Sequence, residues 1–589
     1  MFRSESFEIH CLRDNRWMIE TSIGSQKEAE EFARKMLEKK DVFGVKVIRE
    51  RKGSSGNTSE SVVFSKTKEK KEEKVMVTPV DSAPMCEEAS DCYGTASRMV
   101  LNRLFRQYLD KQNITPMEVM HNYREFKRLQ DSDSLMTSAI GMLATLQAQA
   151  GTGMNATQRR DTLYKFLKEI SDRVREIEST PLPSIKQLGA DETLRKIAPK
   201  AGEDKGNAEF LFRAAVSRDL IDIRNFVGKL DRALMWADDS QDEGAAQLLD
   251  DFVCDVLGAA DVIQELLGDQ PNLFAAVSRL LDLAEGKFDA PPPGAAAASA
   301  DGPKAEAAKA VAEAEEDRTI KIGRLIVAGK LPNTGRALME RVRLQLMGAN
   351  PLMRSNPEQE VPSFRQLMDR LIPETGPIKG GTDMVEALVQ RKSRILNKGG
   401  AAGFRAAAGW MAMVMLNPAR KARYCIALTQ TGLGKQHPNE AYGLIDDMFV
   451  KVESIADIAK ARVPPNERMA AITQVWNEFR AAPIQLDYVE RVCGRLDELL
   501  VHFLKSERIL EKIDDPARPL RMRTMMLMKM CLPTSLPPGK ASNLARAIIV
   551  EKLKRPNFEG EVVADIADPN EKAKAQRDIF MLMRQAGFM

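Results

Sequence analysis

The chain has 589 residues, too many for one hydrophobic core, because single cores stop growing at roughly 250 to 300 residues. The chain has 87 Lys and Arg and 84 Asp and Glu residues, so its net charge is only +3. This value excludes the strong overall positive charge that attracts nucleic acid or anionic lipid. Hydrophobic residues at 43% and charged residues at 29% are typical of globular proteins. We therefore expect a folded protein of several units, without a strong nucleic-acid signal.

The N-terminus lacks the basic and apolar regions of a secretion signal. The seven cysteines are an odd number spread over the whole chain, which favours reduced thiols over a disulfide framework. The most apolar window, 403–416, is shorter than the roughly 20 residues of a transmembrane helix. We expect a buried helix there and a cytoplasmic protein without a transmembrane segment.

Residues 1–66 predict a small α+β module. An amphipathic helix is expected over 26–40. Apolar and polar residues alternate in four short segments, which predict strands at 7–11, 17–19, 45–47 and 61–64. The predicted order of elements is ββαββ.

Two helix starts have the spacing of a capping box, in which a Ser or Thr side chain and a later carboxylate bond to each other's backbone N–H. Ser25 and Glu28 form one such pair, at the start of the predicted helix of the module. Thr115 and Glu118 form the other, with Pro116 at the first helical position. Both predict the exact residue at which a helix begins.

Composition divides the rest of the chain. We expect a charged flexible linker at 67–92, a helical domain at 93–286, an Ala/Pro-rich linker at 287–317 and a C-terminal helical domain at 318–589. Within the first helical domain, apolar residues recur at helical spacing over 157–178, 207–237, 242–268 and 271–285. The predicted fold is mainly α, made of multi-unit helical bundles, with an irregular α-solenoid as the alternative.

Glycine-rich segments do not have the pattern of a nucleotide site. Residues 431–436 resemble a phosphate loop, but Thr429 replaces the first glycine, Gln436 replaces the metal-binding hydroxyl, and a helix precedes them. Residues 399–403 lack the first G-x-G of a dinucleotide fingerprint. Helix boundaries explain both segments.

No spacing points to a metal site or to a catalytic nucleophile. The four histidines are far apart, and the pair Cys86 and Cys92 has no second pair with which to hold zinc. A G-x-S-x-G nucleophile elbow is absent from the sequence. We predict no catalytic, cofactor-binding or metal-binding residues, no cofactor and no enzymatic activity, with a site built from distant residues as the less favoured alternative.

Two basic runs are candidates for partner binding, because arginine side chains bind acidic or phosphate groups through two parallel hydrogen bonds. The second run overlaps a methionine-dense helix of the kind that lines adaptable grooves for a partner helix. The candidate residues are Arg420, Arg423, Arg521, Arg523, Met522, Met525 and Met526.

This organisation favours a non-enzymatic adaptor or regulatory scaffold. Modules on flexible linkers gain effective concentration for several contacts at once, and helical grooves bind peptides and helices. Protein partners and self-association are the expected interactions. The alternative hypothesis is a regulator that responds to a small ligand, such as a nucleotide second messenger, bound near one of the arginine clusters.

Overall fold

A computed structural model describes residues 5–13, 16–39, 42–52, 58–68, 75–132, 134–149, 153–202, 204–287, 318–459 and 463–588. The chain forms two compact units, Met1–Met76 and Val77–Met589. Helices account for 69% of the described residues, which confirms the mainly α fold with a small N-terminal α+β module. Residues 69–74 of the predicted charged linker and 288–317 of the predicted Ala/Pro-rich linker lie outside the described residues. The predicted domain boundaries stay predictions.

The first unit is an antiparallel sheet packed against one helix, in the predicted order ββαββ. Its strands lie in the spatial order β2-β1-β3-β4. The elements are β1 (Glu5–Arg13), β2 (Arg16–Ile23), α1 (Gln26–Glu38), β3 (Gly44–Lys52) and β4 (Thr58–Thr67).

The core of this unit follows from strand and helix periodicity. On β1, Ile9 and Cys11 point to the same face because strand side chains alternate, and they lie opposite Val47 and Val45 of β3. These residues pack with Ala29, Ala33 and Met36 of α1. The strong alternation of apolar residues therefore predicted the buried face correctly.

The predicted capping box of α1 is wrong. Ser25 precedes the helix, but its side chain makes no capping hydrogen bond. Glu28 is exposed to solvent. Water can satisfy the free N–H groups at an exposed helix start, so the sequence motif alone does not fix this cap.

The second unit consists of helices. Those before residue 288 are α2 (Thr95–Leu104), α3 (Arg106–Gln112), α4 (Pro116–His121), α5 (Tyr123–Gln130), α6 (Leu135–Gln149), α7 (Ala156–Glu178), α8 (Ile185–Leu188), α9 (Ala190–Ala201), α10 (Lys205–Leu220), α11 (Phe226–Asp239), α12 (Glu243–Val256), α13 (Ala260–Leu267) and α14 (Leu273–Ala284). A short 3₁₀ helix at Ala89–Tyr93 precedes α2.

The helices after residue 317 continue the same unit. They are α15 (318–327), α16 (Pro332–Met347), α17 (Glu360–Leu371), α18 (Gly381–Ile395), α19 (Gly400–Val414), α20 (Pro418–Gln430), α21 (Gly432–Gln436), α22 (Pro438–Ile445), α23 (Ile455–Ile458), α24 (Pro465–Arg480), α25 (Leu486–Ser506), α26 (Ile509–Ile513), α27 (Leu520–Met530), α28 (Lys540–Leu553), α29 (Phe558–Glu561) and α30 (Pro569–Gln585). Helices from the two parts of the unit contact each other, as α12 and α14 both pack against α16.

Two predicted helical runs are each broken into two helices. The run at 207–237 contains α10 and α11, and the run at 242–268 contains α12 and α13. Apolar spacing continues across the second break, but tertiary contacts end α12. Arg341 donates hydrogen bonds to the carbonyls of Leu257 and Gly258, both at 3.2 Å. Gly258 is required there, because a Cβ would lie 2.1 Å from the Asn102 side-chain nitrogen.

The other predicted helix start and the glycine-rich segments fold as expected. Glu118 Oε2 accepts the Thr115 N–H at 2.7 Å, and Thr115 Oγ1 accepts the Glu118 N–H at 3.3 Å, which confirms this capping box. Residues 432–436 form α21, a helical turn that follows helix α20. The Thr431 hydroxyl accepts the Gly434 N–H at 2.8 Å and caps that turn.

The apolar segment around 403–416 forms α19. Its inner face is buried through Phe404 and Met411, whereas Met413 is 65% exposed, so the helix is buried on one side. Among the described residues, no helix combines the length and the apolar character that a membrane span requires.

Candidate functional site

Helix α12 carries three buried aspartates that fix its position among its neighbours. Asp251 and Asp255 both form ion pairs with Arg98 of α2, at 3.0 Å and 3.3 Å. Asp255 also accepts the Met117 N–H of α4 at 2.9 Å. Asp250 accepts two backbone N–H groups at the start of α16, at 2.6 and 2.9 Å. The aspartates therefore join α2, α4 and α16 to one central helix.

Burial controls the pKa values of these acids. Desolvation raises the pKa of Asp250 and that of Asp255 to about 6, although hydrogen bonds and Arg98 oppose it. Burial also acts to raise the pKa of Asp251, but Arg98 and Arg213 outweigh it and hold this pKa below its usual value. Arg213 Nη2 lies 2.8 Å from Asp251 Oδ2. Each carboxylate is occupied by structural partners, so the cluster acts as an anchor.

A pocket lies beside this anchor, at the C-terminal end of α12. Asn102 links the two, because its amide donates to the Asp255 carbonyl at 2.7 Å. The pocket has a volume of about 370 Å³. Its lining residues come from four segments of the second unit: Thr78, Pro79, Met99, Asn102, Arg103, Arg106, Gln107, Cys254, Leu257, Gly258, Ala337, Glu340, Arg341, Leu344 and Gln345.

Two of the three arginines in this pocket have carboxylate partners. Arg103 pairs with Asp81 at 2.7 Å and lies 3.6 Å from Glu340. Arg106 Nη2 lies 2.7 Å from Asp110. The Arg106 Nε atom is buried without a hydrogen-bond partner in the part of the chain that the structure describes.

Arg341 differs from the other two. Its Nη1 bonds to the two carbonyls at the end of α12, and no carboxylate of the described residues forms an ion pair with it. Burial lowers the pKa of Arg341, the positive charge of Arg106 lowers it further, and the negative charge of Asp110 opposes this change without reversing it. An arginine remains charged in proteins. Arg106 and Arg341 therefore leave the pocket with positive charge that is not fully neutralised.

This arrangement can bind an anionic small molecule. Guanidinium groups match phosphate and carboxylate oxygens through pairs of parallel N–H donors. The volume falls in the range of about 300 to 1,000 Å³ that is usual for ligand pockets. Met99, Leu257 and Leu344 add an apolar surface for a ring or chain attached to the anionic group.

The sequence-predicted arginines Arg420 and Arg423 lie elsewhere, against the loop that joins α17 and α18. Arg420 is 4% exposed and pairs with Asp369 at 2.7 Å and Glu374 at 3.1 Å. Arg423 donates to the Pro373 and Glu374 carbonyls at 3.3 and 2.6 Å. Both guanidinium groups are thus used to hold this loop.

The second predicted cluster lies on α27. Arg521 pairs with Asp565 at 3.1 Å, and Arg523 pairs with Asp514 at 3.2 Å. Met525 packs against the C-terminal core. Met522 and Met526 are 49% and 38% exposed. Partner binding by these residues and by Arg420 and Arg423 stays a prediction.

Sequence reasoning missed the pocket because its walls come from residues between 78 and 345. One local pattern could have indicated it. Arg103 and Arg106 are three residues apart at the junction of α2 and α3, and both line the pocket. Nothing local marks Arg341, which reaches the pocket only because α16 packs against α12.

Within the described ranges, no group of three or more His, Cys, Asp or Glu side chains is arranged to hold a metal ion. No protein-family model, curated protein or solved structure matches this chain.

Proposed function

We propose that the protein is a non-enzymatic regulator whose helical unit binds a small molecule carrying a phosphate group. One observation carries the proposal: Arg341 lies in a pocket of about 370 Å³ without an ion-pair partner among the described residues, beside Arg106. This is the ligand-responsive hypothesis of the sequence analysis, moved from the predicted arginine clusters to the α2–α12–α16 pocket. Nucleotides fit the chemistry, since they combine phosphate with a flat ring.

A thermal-shift and calorimetric comparison tests this proposal. The ligands are inorganic phosphate, AMP and a cyclic dinucleotide, with adenosine as the uncharged control. A ligand at 100 times its dissociation constant stabilises the unit that binds it by about 2.7 kcal/mol. We expect stabilisation by a phosphate-bearing ligand and none by adenosine.

Variants locate the binding. Arg341→Gln retains donors for the two carbonyls but removes the charge, so the loss of charged hydrogen bonds, each worth about 1.5–3 kcal/mol, weakens binding roughly 10- to 150-fold. The matched control is Arg195→Gln, since Arg195 is 74% exposed and pairs with Glu192 outside the pocket. Unchanged affinity in Arg341→Gln, or no stabilisation by any of these ligands, contradicts the proposal.

A second candidate function is the predicted adaptor role, which one observation favours. Met522 and Met526 are exposed one turn apart on α27, where an amphipathic partner helix can contact both. The double variant Met522→Glu/Met526→Glu should release a stoichiometric partner from the natively purified protein. Met413→Glu is the control, because Met413 is also an exposed methionine, 65% exposed, but lies on α19. A partner retained by the double variant contradicts this role.

A further inference from the structure

An apolar cavity lies in the second unit, apart from the α2–α12–α16 pocket. Its volume is about 100 Å³, and its walls come from helices α2 to α7. Every side chain that lines it is a hydrocarbon or a methionine, except for the Cys92 thiol. The cavity and the α2–α12–α16 pocket share helix α2 but no lining residue, so they are separate sites.

Buried polar contacts hold two walls of this cavity in place. Helix α4 supplies Val119 to the lining, and the neighbouring Met117 N–H is donated to Asp255 at 2.9 Å. Glu118 of the same helix forms its buried ion pair with Lys229 at 2.6 Å. The aspartates of α12 hold α2 in the same way. A movement of α2 or α4 into the space would break these contacts, so the cavity stays open.

The lining selects an uncharged, apolar guest. A buried water molecule needs about two to four polar partners, and the side chains around this cavity offer only the weakly polar Cys92 thiol. A charged group would lose its hydration without compensation. Water and ions are therefore poor occupants, whereas a hydrocarbon gains contacts that the empty cavity lacks.

The volume and the lining set the size and shape of the guest. Apolar cavities of about 150 Å³ lined by Leu, Ile and Phe bind benzene or xenon, so a smaller cavity takes a single ring at most. Phe105, Phe126 and Phe166 line this one and are 5%, 3% and 8% exposed. An aromatic guest can make edge-to-face contacts with these rings, which adds to the effect of burial alone.

The cavity lies close to the surface. Leu101 of α2, Met136 and Leu143 of α6 and Leu167 of α7 line it and are only partly buried. Each of these side chains therefore reaches from the cavity toward solvent. Side chains that are partly exposed change rotamer rapidly, and methionine is especially adaptable, so a small molecule can enter without unfolding of the helices.

We propose that this cavity is a binding site for an uncharged aromatic molecule of about the size of benzene. The site goes beyond the phosphate ligand proposed for the α2–α12–α16 pocket and does not depend on it. Its ligand is recognised by shape and by the absence of polar groups, in contrast to the charge recognition in that pocket.

Native-state hydrogen exchange of the full-length protein in the presence of benzene tests the proposal. A ligand that binds only the folded form, at about ten times its dissociation constant, slows the exchange of amides that open with its site about tenfold. We expect this slowing in α6 and α7. Phenol has the same ring, but its hydroxyl lacks a good partner in the cavity, so it should bind roughly 10- to 100-fold more weakly.

Variants locate the benzene. Ala139 is 1% exposed and lines the cavity, so the larger side chain of Ala139→Leu should fill the space and abolish the slowing. Thr137→Leu is the matched control, because Thr137 is exposed on the same helix and does not line the cavity. Leu163→Ala enlarges the space and should bind ethylbenzene at least about tenfold more tightly than the wild type does.

Circular dichroism shows whether each variant is folded, and Leu163→Ala carries the test if Ala139→Leu is not. Three outcomes overturn the proposal: unchanged exchange of the wild type in benzene, equal affinity for benzene and phenol, and equal slowing by benzene in Ala139→Leu and Thr137→Leu. For Leu163→Ala, an affinity for ethylbenzene no higher than that of the wild type also overturns it.

Discussion

The ion pair between Lys229 of α11 and Glu118 of α4 offers the sharpest test of how the second unit is held together. Both side chains are 0% exposed, and Lys229 Nζ lies 2.6 and 2.7 Å from the two Glu118 oxygens. The third Nζ hydrogen is donated to the Asn113 carbonyl at 2.8 Å. Burial raises the pKa of Glu118 and lowers that of Lys229, so each group depends on the other to remain charged.

Removing one partner leaves a buried charge without compensation. We expect Lys229→Met to destabilise α4 and α11 by about 3–5 kcal/mol, whereas replacing both charges costs far less because no lone charge remains. Glu118→Gln/Lys229→Met should therefore be more stable than Lys229→Met alone. The glutamine can still accept the Thr115 N–H of the capping box.

Native-state hydrogen exchange measures the effect locally. A loss of 3 kcal/mol accelerates exchange of the α4 and α11 amides by on the order of 100-fold. Lys127→Met is the matched control, because Lys127 is half exposed and its pair with Asp131 at 2.9 Å lies on the surface. That variant should leave the exchange of α4 unchanged. Exchange accelerated less than about threefold in Lys229→Met, or strictly additive effects in the double variant, refutes the reasoning.

Three further predictions rest on separate features of the second unit. Lys287, Lys379 and Arg370 outweigh the effect of burial and hold the pKa of the Glu285 carboxyl at about 2. The stability that the Glu285 carboxylate contributes is present above pH 4.5 and is lost as the pH falls toward 2. Acid should therefore accelerate hydrogen exchange of the α14 amides in the wild type, but not in Glu285→Gln. The side chain of Cys92 lowers the pKa of Cys86 to about 6, so the rate at which iodoacetamide alkylates Cys86 in the wild type should level off above about pH 7. In Cys92→Ser, Cys86 should instead behave as an ordinary thiol, whose alkylation rate rises on the order of tenfold between about pH 7 and 8.5. Phe212→Ala should cost about 3–5 kcal/mol in denaturant unfolding followed by circular dichroism, since this side chain is 0% exposed, and a loss below 1 kcal/mol contradicts its core position.

The N-terminal module was predictable because its structure is set by local patterns. Alternation at Phe7, Ile9 and Cys11 identified the buried face, and the helical spacing of Ala29, Ala33 and Met36 identified the covering helix. The capping box at Thr115 was predictable for the same reason, since both partners lie within one turn. In contrast, Ser25 makes no capping hydrogen bond despite the same motif, which shows that spacing alone does not ensure a cap.

The candidate site was not predictable, because its charge balance depends on distant residues. The basic pattern at Arg420 and Arg423 is visible in the sequence, but Asp369 and Glu374, which neutralise Arg420, are supplied by α17 and the loop after it. Arg341 is equally visible as a charged residue. Only the folded structure shows that Arg341 lies near Arg106 and forms no ion pair with a carboxylate of the described chain.

The end of α12 was missed for a related reason. Apolar spacing continues through Val256 and Ile263, so the pattern predicts one long helix. The break is produced by Asn102 and Arg341, which approach Gly258 from α2 and α16. Interactions of this kind have no counterpart in a local window of sequence.

The polar anchor of α12 also determines which arrangement of helices is allowed. Apolar surfaces tolerate sliding, because one buried methyl group can replace another at little cost. Asp251 and Asp255 do not tolerate sliding, because Arg98 forms ion pairs with both. A rotation of α12 by one residue, about 100°, would leave these carboxylates buried without a partner. Helix α12 can therefore pack in only one rotation about its axis. A substitution at Arg98 would require compensating substitutions at both Asp251 and Asp255.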